Sequence, residues 1–180
     1  MALKGSPAVT EPVGRDQGRQ QADQQSSPVE DKLNKLVEGT PAGETDPEIP
    51  HGTTGARAAA VQALYESDAS GHPARRALER LALYDALGKS DAKLADRLVS
   101  YVEAHRLELD RKIGEFAVGH PVDSIANVDR NVLRVALAEM ELRPETPRRV
   151  IVNEAVEVAA LFGGDLSPKF VNGVLGALLR

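Results

Sequence analysis

Apolar residues recur every three or four positions through most of the chain after residue 54, a spacing typical of helices that bury one face. No segment alternates apolar and polar residues in the manner of a strand. The pattern, divided by glycine and proline, predicts six main helices at about 56–68, 73–87, 90–116, 128–142, 147–162 and 168–179. With one short helix at 121–125, we predict an all-α fold, a compact helical bundle of six main helices plus one short helix.

Two of these helices are expected to organise the packing. The apolar stripe of the third runs from Leu94 through His105 to Phe116, which predicts one long helix that forms the spine of the domain. The helix at 128–142 is apolar nearly all round, and such a helix is predicted to lie at the centre.

The first 54 residues differ from the rest of the chain. Only 13 of them are apolar and none is aromatic, whereas five are basic and nine acidic. So little apolar surface cannot offset the entropy lost on ordering. We predict that 1–54 is a disordered N-terminal tail, with one transient helical turn around Leu33, Leu36 and Val37, and that 55–180 is the folded domain. The tail is either an interaction or solubilising segment or a non-essential extension.

Composition excludes several classes of function. The chain has no cysteine, so thiol catalysis, disulfides and cysteine metal sites are excluded. Its four histidines are far apart and lack metal-ligand spacing, and we expect neither metal nor cofactor. No apolar run is long enough to cross a membrane, and the N-terminus lacks the apolar core of a signal peptide. We expect a cytoplasmic protein that does not contact membranes.

Candidate catalytic motifs are weak. Gly88, Lys89 and Ser90 resemble the end of a phosphate-binding loop, but Leu83 stands where that loop requires its first glycine. Asn153, Glu154 and Glu157 could take part in acid–base chemistry, yet no nucleophile is spaced to join them. We therefore expect a domain that binds, not an enzyme.

A nucleic-acid site is predicted at the start of the last helix. Ser167 opens this helix, and Lys169 and Phe170 fall in its first turn, where the backbone N–H groups and the helix dipole favour an anion. A lysine for phosphate and a ring for an unstacked base are the minimal pair for single-stranded RNA. The alternative for Phe170 is ordinary core packing.

Longer phrases carry a family resemblance. They are AAAVQALY at 58–65, VDRNVLRVALAE at 128–139, VIVNEAVEVA at 150–159 and SPKFVNGVL at 167–175. Their order and spacing resemble the NusB family of bacterial transcription antitermination factors, over about residues 55–180. The resemblance implies a helical domain that pairs with ribosomal protein NusE, binds the single-stranded boxA element of nascent, particularly ribosomal, RNA, and helps RNA polymerase read through terminators.

The resemblance also implies roles for individual residues. The RNA surface would include Ser167, Lys169 and Phe170, together with Arg57 from a family arm that commonly clusters arginines. This chain has only Arg57 of that cluster, so we expect its RNA binding to be weaker or more dependent on NusE. Tyr65 and Asp129 match positions linked to partner binding and function, with core packing and helix-dipole stabilisation as their alternatives. We expect the RNA and NusE surfaces to be separate patches of opposite charge.

Two other functions remain open at this stage. The chain could be a helical protein-interaction adaptor with weak or no RNA binding, as the missing arginines suggest. It could also be a fragment of an RNA cytosine methyltransferase, in which a related helical domain precedes the catalytic domain. No long α/β domain with a cofactor loop follows residue 180 in this sequence, which disfavours the methyltransferase.

Overall fold

The computed structural model describes residues 52–179, apart from the side chains of Ala82 and Leu83. In this part of the chain all regular structure is helical, which confirms the predicted all-α bundle. The α-helices are α1 (Gly52–Ser70), α2 (Ala74–Leu78), α3 (Ala82–Asp85), α4 (Lys89–Ala104), α5 (Arg106–Phe116), α6 (Asn127–Leu142), α7 (Arg148–Phe162) and α8 (Ser167–Leu178). A single 3-10 turn, Val122–Ser124, precedes α6.

The predicted helix at 73–87 is divided into α2 and α3. Backbone N–H groups at Arg80 and Leu81 bond to carbonyl oxygens only three residues earlier, at 3.0 and 3.1 Å, which tightens the chain between the two helices. Leu78 and Leu81 are both buried. The tighter turn therefore keeps both leucines in the core, and the apolar spacing alone did not reveal it.

The predicted spine is also divided, at His105. The backbone of His105 leaves the helical region, with φ −117° and ψ 19°, between α4 and α5. Its ring stacks on Tyr101 at a centroid distance of 4.1 Å, and its Nδ1 lies 3.0 Å from the Tyr101 carbonyl oxygen. The histidine thus packs back on the preceding turn, and the chain resumes as a second helix.

Helix α6 is central, as predicted. It packs against α1, α4, α5, α7 and α8, and every residue from 131 to 139 is buried. Leu133 and Ala138 have no exposed surface. Two of the buried residues, Arg134 and Glu139, are charged, so the centre of the bundle contains ion pairs as well as apolar side chains.

The predicted tail lies outside the described residues, except for its last three positions. Residues 52–54 belong to α1, so the helix begins before the predicted boundary at 55. Among residues 52–179, no helix has both the length and the hydropathy that crossing a membrane requires.

A close backbone approach positions the start of α8. Helix α7 ends at Gly163, and a Cβ built there would lie 2.4 Å from the Cβ and Oγ of Ser167. Only glycine therefore fits between the two helices at this point. The short connection sets the first turn of α8 beside the N-terminal end of α6, where the predicted site lies.

Candidate RNA and partner interface

Ser167 has a structural role at the start of α8. The residue is 6% exposed, its Oγ accepts a hydrogen bond from the Gly164 N–H at 3.0 Å, and its backbone N–H donates to the Gly164 carbonyl oxygen at 2.9 Å. Its side chain also lies close enough to Asp129 of α6 to lower the pKa of that carboxyl. Ser167 thus holds the loop and α8 in place, and it is too enclosed to be the main contact for RNA.

Lys169 and Phe170 lie beside each other but in different environments. Lys169 is exposed, and no carboxylate between residues 52 and 179 forms an ion pair with its ammonium group. Phe170 is half-buried against the core, and its ring meets the edge of His120 at 5.3 Å and 77°. The predicted pair of a free cation and a partly accessible ring is present in the first turn of α8.

Two grooves meet at this ring. The first, the Asp129 groove, has a volume of about 520 Å³ and is lined by Ser124, Asp129, Asp165 and Ser167 among others. The second, the Val118 groove, has a volume of about 490 Å³ and is lined by Phe116, Val118, Lys169 and Val174 among others. His120, Leu166 and Phe170 line both, so the grooves form one continuous surface on either side of the ring.

Asp129 has an unusual environment for a carboxylate. It is 8% exposed, and its Oδ1 has no hydrogen-bond partner among the described residues. Burial raises the pKa of the Asp129 carboxyl, and the Ser167 side chain partly opposes that rise. The Asp129 groove is therefore lined by a carboxylate whose Oδ1 is buried without a hydrogen-bond partner among the described residues.

The position of Asp129 changes the expected arrangement of charge. The sequence predicted separate patches for RNA and for NusE, with Lys169 on one and Asp129 on the other. In the structure the two side chains line adjoining grooves that share the Phe170 ring. The expectation of separate patches is wrong, because α8 begins directly beside the first turn of α6.

Arg57 is not a free cation, contrary to the predicted role in RNA binding. It is 3% exposed, and its Nε and Nη2 donate to the two carboxylate oxygens of Glu139 at 2.6 Å each. Its Nη1 donates to Glu154 at 2.9 Å, and Glu154 also accepts from the Thr54 hydroxyl. Every guanidinium nitrogen is thus occupied, and a phosphate cannot reach this side chain without breaking the buried pair.

Tyr65 is half-buried and packs against the core. Three residues further along α1, Asp68 forms ion pairs with Arg106, Arg130 and Arg134. Because Arg130 directly follows Asp129, these pairs place the Tyr65 end of α1 at the same end of the bundle as Asp129. The partner role of both residues stays a prediction.

Sequence reasoning missed two groups of residues here. His120 was considered only as a metal ligand, whereas it lines both grooves and contacts Phe170. Val118 and Leu166 are 85% and 76% exposed, and no pattern singled them out. Among residues 52–179, no three acidic, histidine or cysteine side chains converge to hold a metal ion.

Comparisons with known proteins agree with the resemblance found in the sequence. A family model described as the NusB family matches residues 54–180. Transcription antitermination protein NusB from Dehalococcoides mccartyi is 41% identical over 125 residues, which cover 69% of this chain and 87% of the relative. Among solved structures, NusB from T. maritima aligns with a TM-score of 0.64 at 28% identity, over 69% of this chain and 88% of its own.

A second solved structure contains antitermination factors NusB and NusE in complex with double-stranded RNA. It aligns with a TM-score of 0.62 at 26% identity, over 69% of this chain and 93% of the matched chain.

The burial of Arg57 predicts a large loss of stability in Arg57→Ala. This change leaves the fully buried Glu139 without its main partner, and breaking such a pair costs roughly 3–5 kcal/mol. Urea unfolding followed by circular dichroism measures the difference. Arg76→Ala is the control, since Arg76 is exposed, and it should change stability little. Equal stability of the two variants would contradict a structural role for Arg57.

The raised pKa of Asp129 predicts a pH-dependent gain in stability for Asp129→Asn. A raised pKa means that the folded state binds this proton more tightly than the unfolded chain does. The free energy of unfolding therefore falls as the pH rises from the ordinary pKa of the carboxyl to the raised one. The amide removes that cost. We expect the variant to be the more stable protein at pH 7, with the difference shrinking below about pH 4.

Denaturant unfolding of both proteins at several pH values tests this expectation. A variant that is less stable than the wild type at pH 7 would show that the ionised carboxylate is favourable where it lies.

Proposed function

The chain belongs to the NusB family, and from this we propose that it acts in the cytoplasm as a transcription antitermination factor. It binds single-stranded RNA of the boxA type together with ribosomal protein NusE. As part of the RNA polymerase complex, it promotes read-through of terminators. This role needs two binding surfaces and no chemical step, in agreement with the expectation of a domain that binds.

The observation that carries the proposal is the first turn of α8. There the unpaired ammonium of Lys169 lies next to the Phe170 ring, and the ring borders open grooves on both sides. A strand of RNA would place a phosphate at Lys169 and stack an unpaired base on the accessible part of Phe170. His120, at the edge of the same ring, is placed to contact the stacked base.

The charge of the site explains why a partner is needed. Lys169 is the only lysine or arginine among the residues that line the two grooves. Two other lining residues, Asp129 and Asp165, are acidic. Arg57 contributes nothing, because it is paired internally. Phosphate attraction depends on local positive charge, so this domain alone would hold RNA weakly, and NusE would supply further cations.

Asp129 is the proposed contact for NusE. Asp129 lines an open groove, and a cationic side chain brought to that groove would offset the cost of burying a carboxylate with an unpartnered oxygen. Tyr65, at the same end of the bundle, is proposed to border this contact. The alternative function, an adaptor that binds proteins with little RNA affinity, is favoured only by the shortage of free cations.

We expect Lys169→Glu to weaken binding of a boxA-type single strand in the presence of NusE. Loss of one phosphate contact to a single strand should reduce the slope of log K against log salt concentration by roughly 0.7. Fluorescence anisotropy at several salt concentrations measures both quantities. Lys93→Glu is the matched control, since Lys93 is an exposed lysine of α4 away from the grooves. Identical titrations for the two variants would remove Lys169 from the RNA site.

We expect Asp129→Asn to weaken association with NusE while the domain remains folded. The amide keeps the shape of the side chain and removes the charge that attracts a cationic partner group. Asp165→Asn is the control, because Asp165 is an exposed acid lining the same groove. Calorimetric titration with NusE separates the two, and an unchanged dissociation constant for Asp129→Asn would refute its partner role.

A further inference from the structure

Asp68, near the C-terminal end of α1, lies at the centre of a group of charged side chains. Its carboxylate forms ion pairs with three arginines of the neighbouring helices, Arg106 of α5 and Arg130 and Arg134 of α6. Asp110 of α5 is the second acid of this group, the Asp68 cluster, and it accepts from Arg134 at 2.7 and 2.8 Å. No further carboxylate between residues 52 and 179 pairs with any of the three arginines. Three cations thus share two acids, and the cluster keeps one positive charge without a counter-ion.

The unmatched charge is most accessible at Arg106. The Arg134 side chain is buried, and that of Arg130 is 15% exposed and also donates to two oxygen atoms at and before the start of α6. The Arg106 side chain is 40% exposed, and only its Nη2 contacts Asp68. Nε and Nη1 of Arg106 donate to no acceptor among residues 52–179. These two nitrogens are therefore available to an anion from outside the domain.

The charge of Arg106 does not serve the stability of the fold. Burial lowers the pKa of the Arg106 guanidinium, and the charges of Arg134 and Arg130 lower it further, with Asp110 partly opposing them. The charged form is therefore less favourable in the folded protein than in the unfolded chain. An arginine placed against its own electrostatic preference fits a binding contact better than a structural one.

The surroundings of the cluster favour a protein as the occupant. The cluster lies one turn after Tyr65 on α1 and includes the residue that follows Asp129 on α6, so it adjoins both proposed partner contacts. Leu107, the residue after Arg106, is 87% exposed, the largest exposed fraction of any large apolar side chain between residues 52 and 179. Arginine and tyrosine are enriched at protein interfaces, and the leucine adds apolar surface that RNA phosphates do not use.

We propose that Arg106 binds a carboxylate of the partner protein, which is NusE on the proposed function, on which this inference rests. The carboxylate supplies the counter-ion that the Asp68 cluster lacks and accepts a charge-assisted hydrogen bond from the guanidinium. The partner surface then carries both signs, with an acid at Asp129 and a surplus cation at Arg106. Such a pattern fixes the orientation of a partner that carries a base and an acid in the matching order.

Calorimetric titration of the full chain with NusE tests the contact. Arg106→Gln should weaken association by about tenfold, because the amide removes the charge that pairs with the partner carboxylate. Arg111→Gln is the matched control, since Arg111 is an exposed arginine of the same helix that pairs with Glu115. This control should bind NusE as the wild type does. Equal dissociation constants for the two variants overturn the proposal.

Urea unfolding separates a binding contact from a structural one. Because the fold disfavours the charge of Arg106, Arg106→Gln should be at least as stable as the wild type. A marked loss of stability would assign the residue to the fold and overturn the proposal.

A double-mutant cycle identifies the partner carboxylate. Each acidic residue of NusE is replaced in turn by its amide, and each replacement is titrated against the wild type and against Arg106→Gln. One replacement should weaken binding to the wild type and have little further effect on Arg106→Gln, because both changes remove the same contact. Losses that simply add for every replacement overturn the proposal.

Titration with a boxA-type RNA distinguishes this inference from the proposed function. If Arg106→Gln weakens RNA binding by the chain alone and leaves the affinity for NusE unchanged, the surplus charge belongs to an RNA site and the proposal is overturned. If Asp129→Asn weakens NusE binding and Arg106→Gln does not, the proposed function stands and the Arg106 contact fails. If the cycle identifies a NusE carboxylate while no such RNA binds, the proposed function fails and the contact stands. A wild type that does not bind NusE would overturn both.

Discussion

Helix α6 can be buried on nearly all sides only because its charged side chains are paired inside the protein. An unpaired buried charge destabilises the folded state by several kcal/mol, far more than a single surface contact stabilises it. Glu139 is met by Arg57 of α1, and Arg134 lies between Asp68 of α1 and Asp110 of α5, with distances of 2.6 to 3.1 Å. These pairs fix α1 and α5 against α6, because sliding either helix would separate a buried charge from its partner.

Asp129, near the start of the same helix, does not follow this rule. Its carboxylate is almost as enclosed as that of Glu139, but one oxygen has no partner among residues 52–179, and burial raises its pKa. The difference between the two acids is their position. Glu139 lies where three helices close around it, whereas Asp129 lies where α8 begins and a groove remains open. The central helix is therefore core along most of its length and lines an open groove at one end.

The sequence predicted the helices well, because burial of one helical face leaves a local signal. It did not predict the breaks after Leu78 and at His105, since the apolar spacing continues through both. It also misjudged Arg57, because a position in the chain does not reveal burial. One signal was available: Glu139 interrupts a helix that is apolar on all sides, and a buried acid of this kind requires a cation nearby.

The adjoining grooves could not have been inferred in the same way. Lys169 and Phe170 were visible as neighbours in one turn, but Asp129 and His120 join them only through the tertiary fold. Their meeting depends on the close approach of Gly163 to Ser167, which sets the angle at which α8 leaves α7. Spacing along the chain contains no information on that angle, so the predicted separation of the RNA and partner patches was wrong.

The shared ring has a further consequence for binding. Phe170 forms a wall of both grooves, so a base stacked on the ring and a partner side chain at Asp129 would touch opposite sides of one residue. Two ligands that order the same side chain share the entropic cost of ordering it, and each then binds better in the presence of the other. With Lys169 as the one unpaired cation lining the two grooves, the proposed RNA site would gain its affinity through joint binding with a partner more than through its own charge.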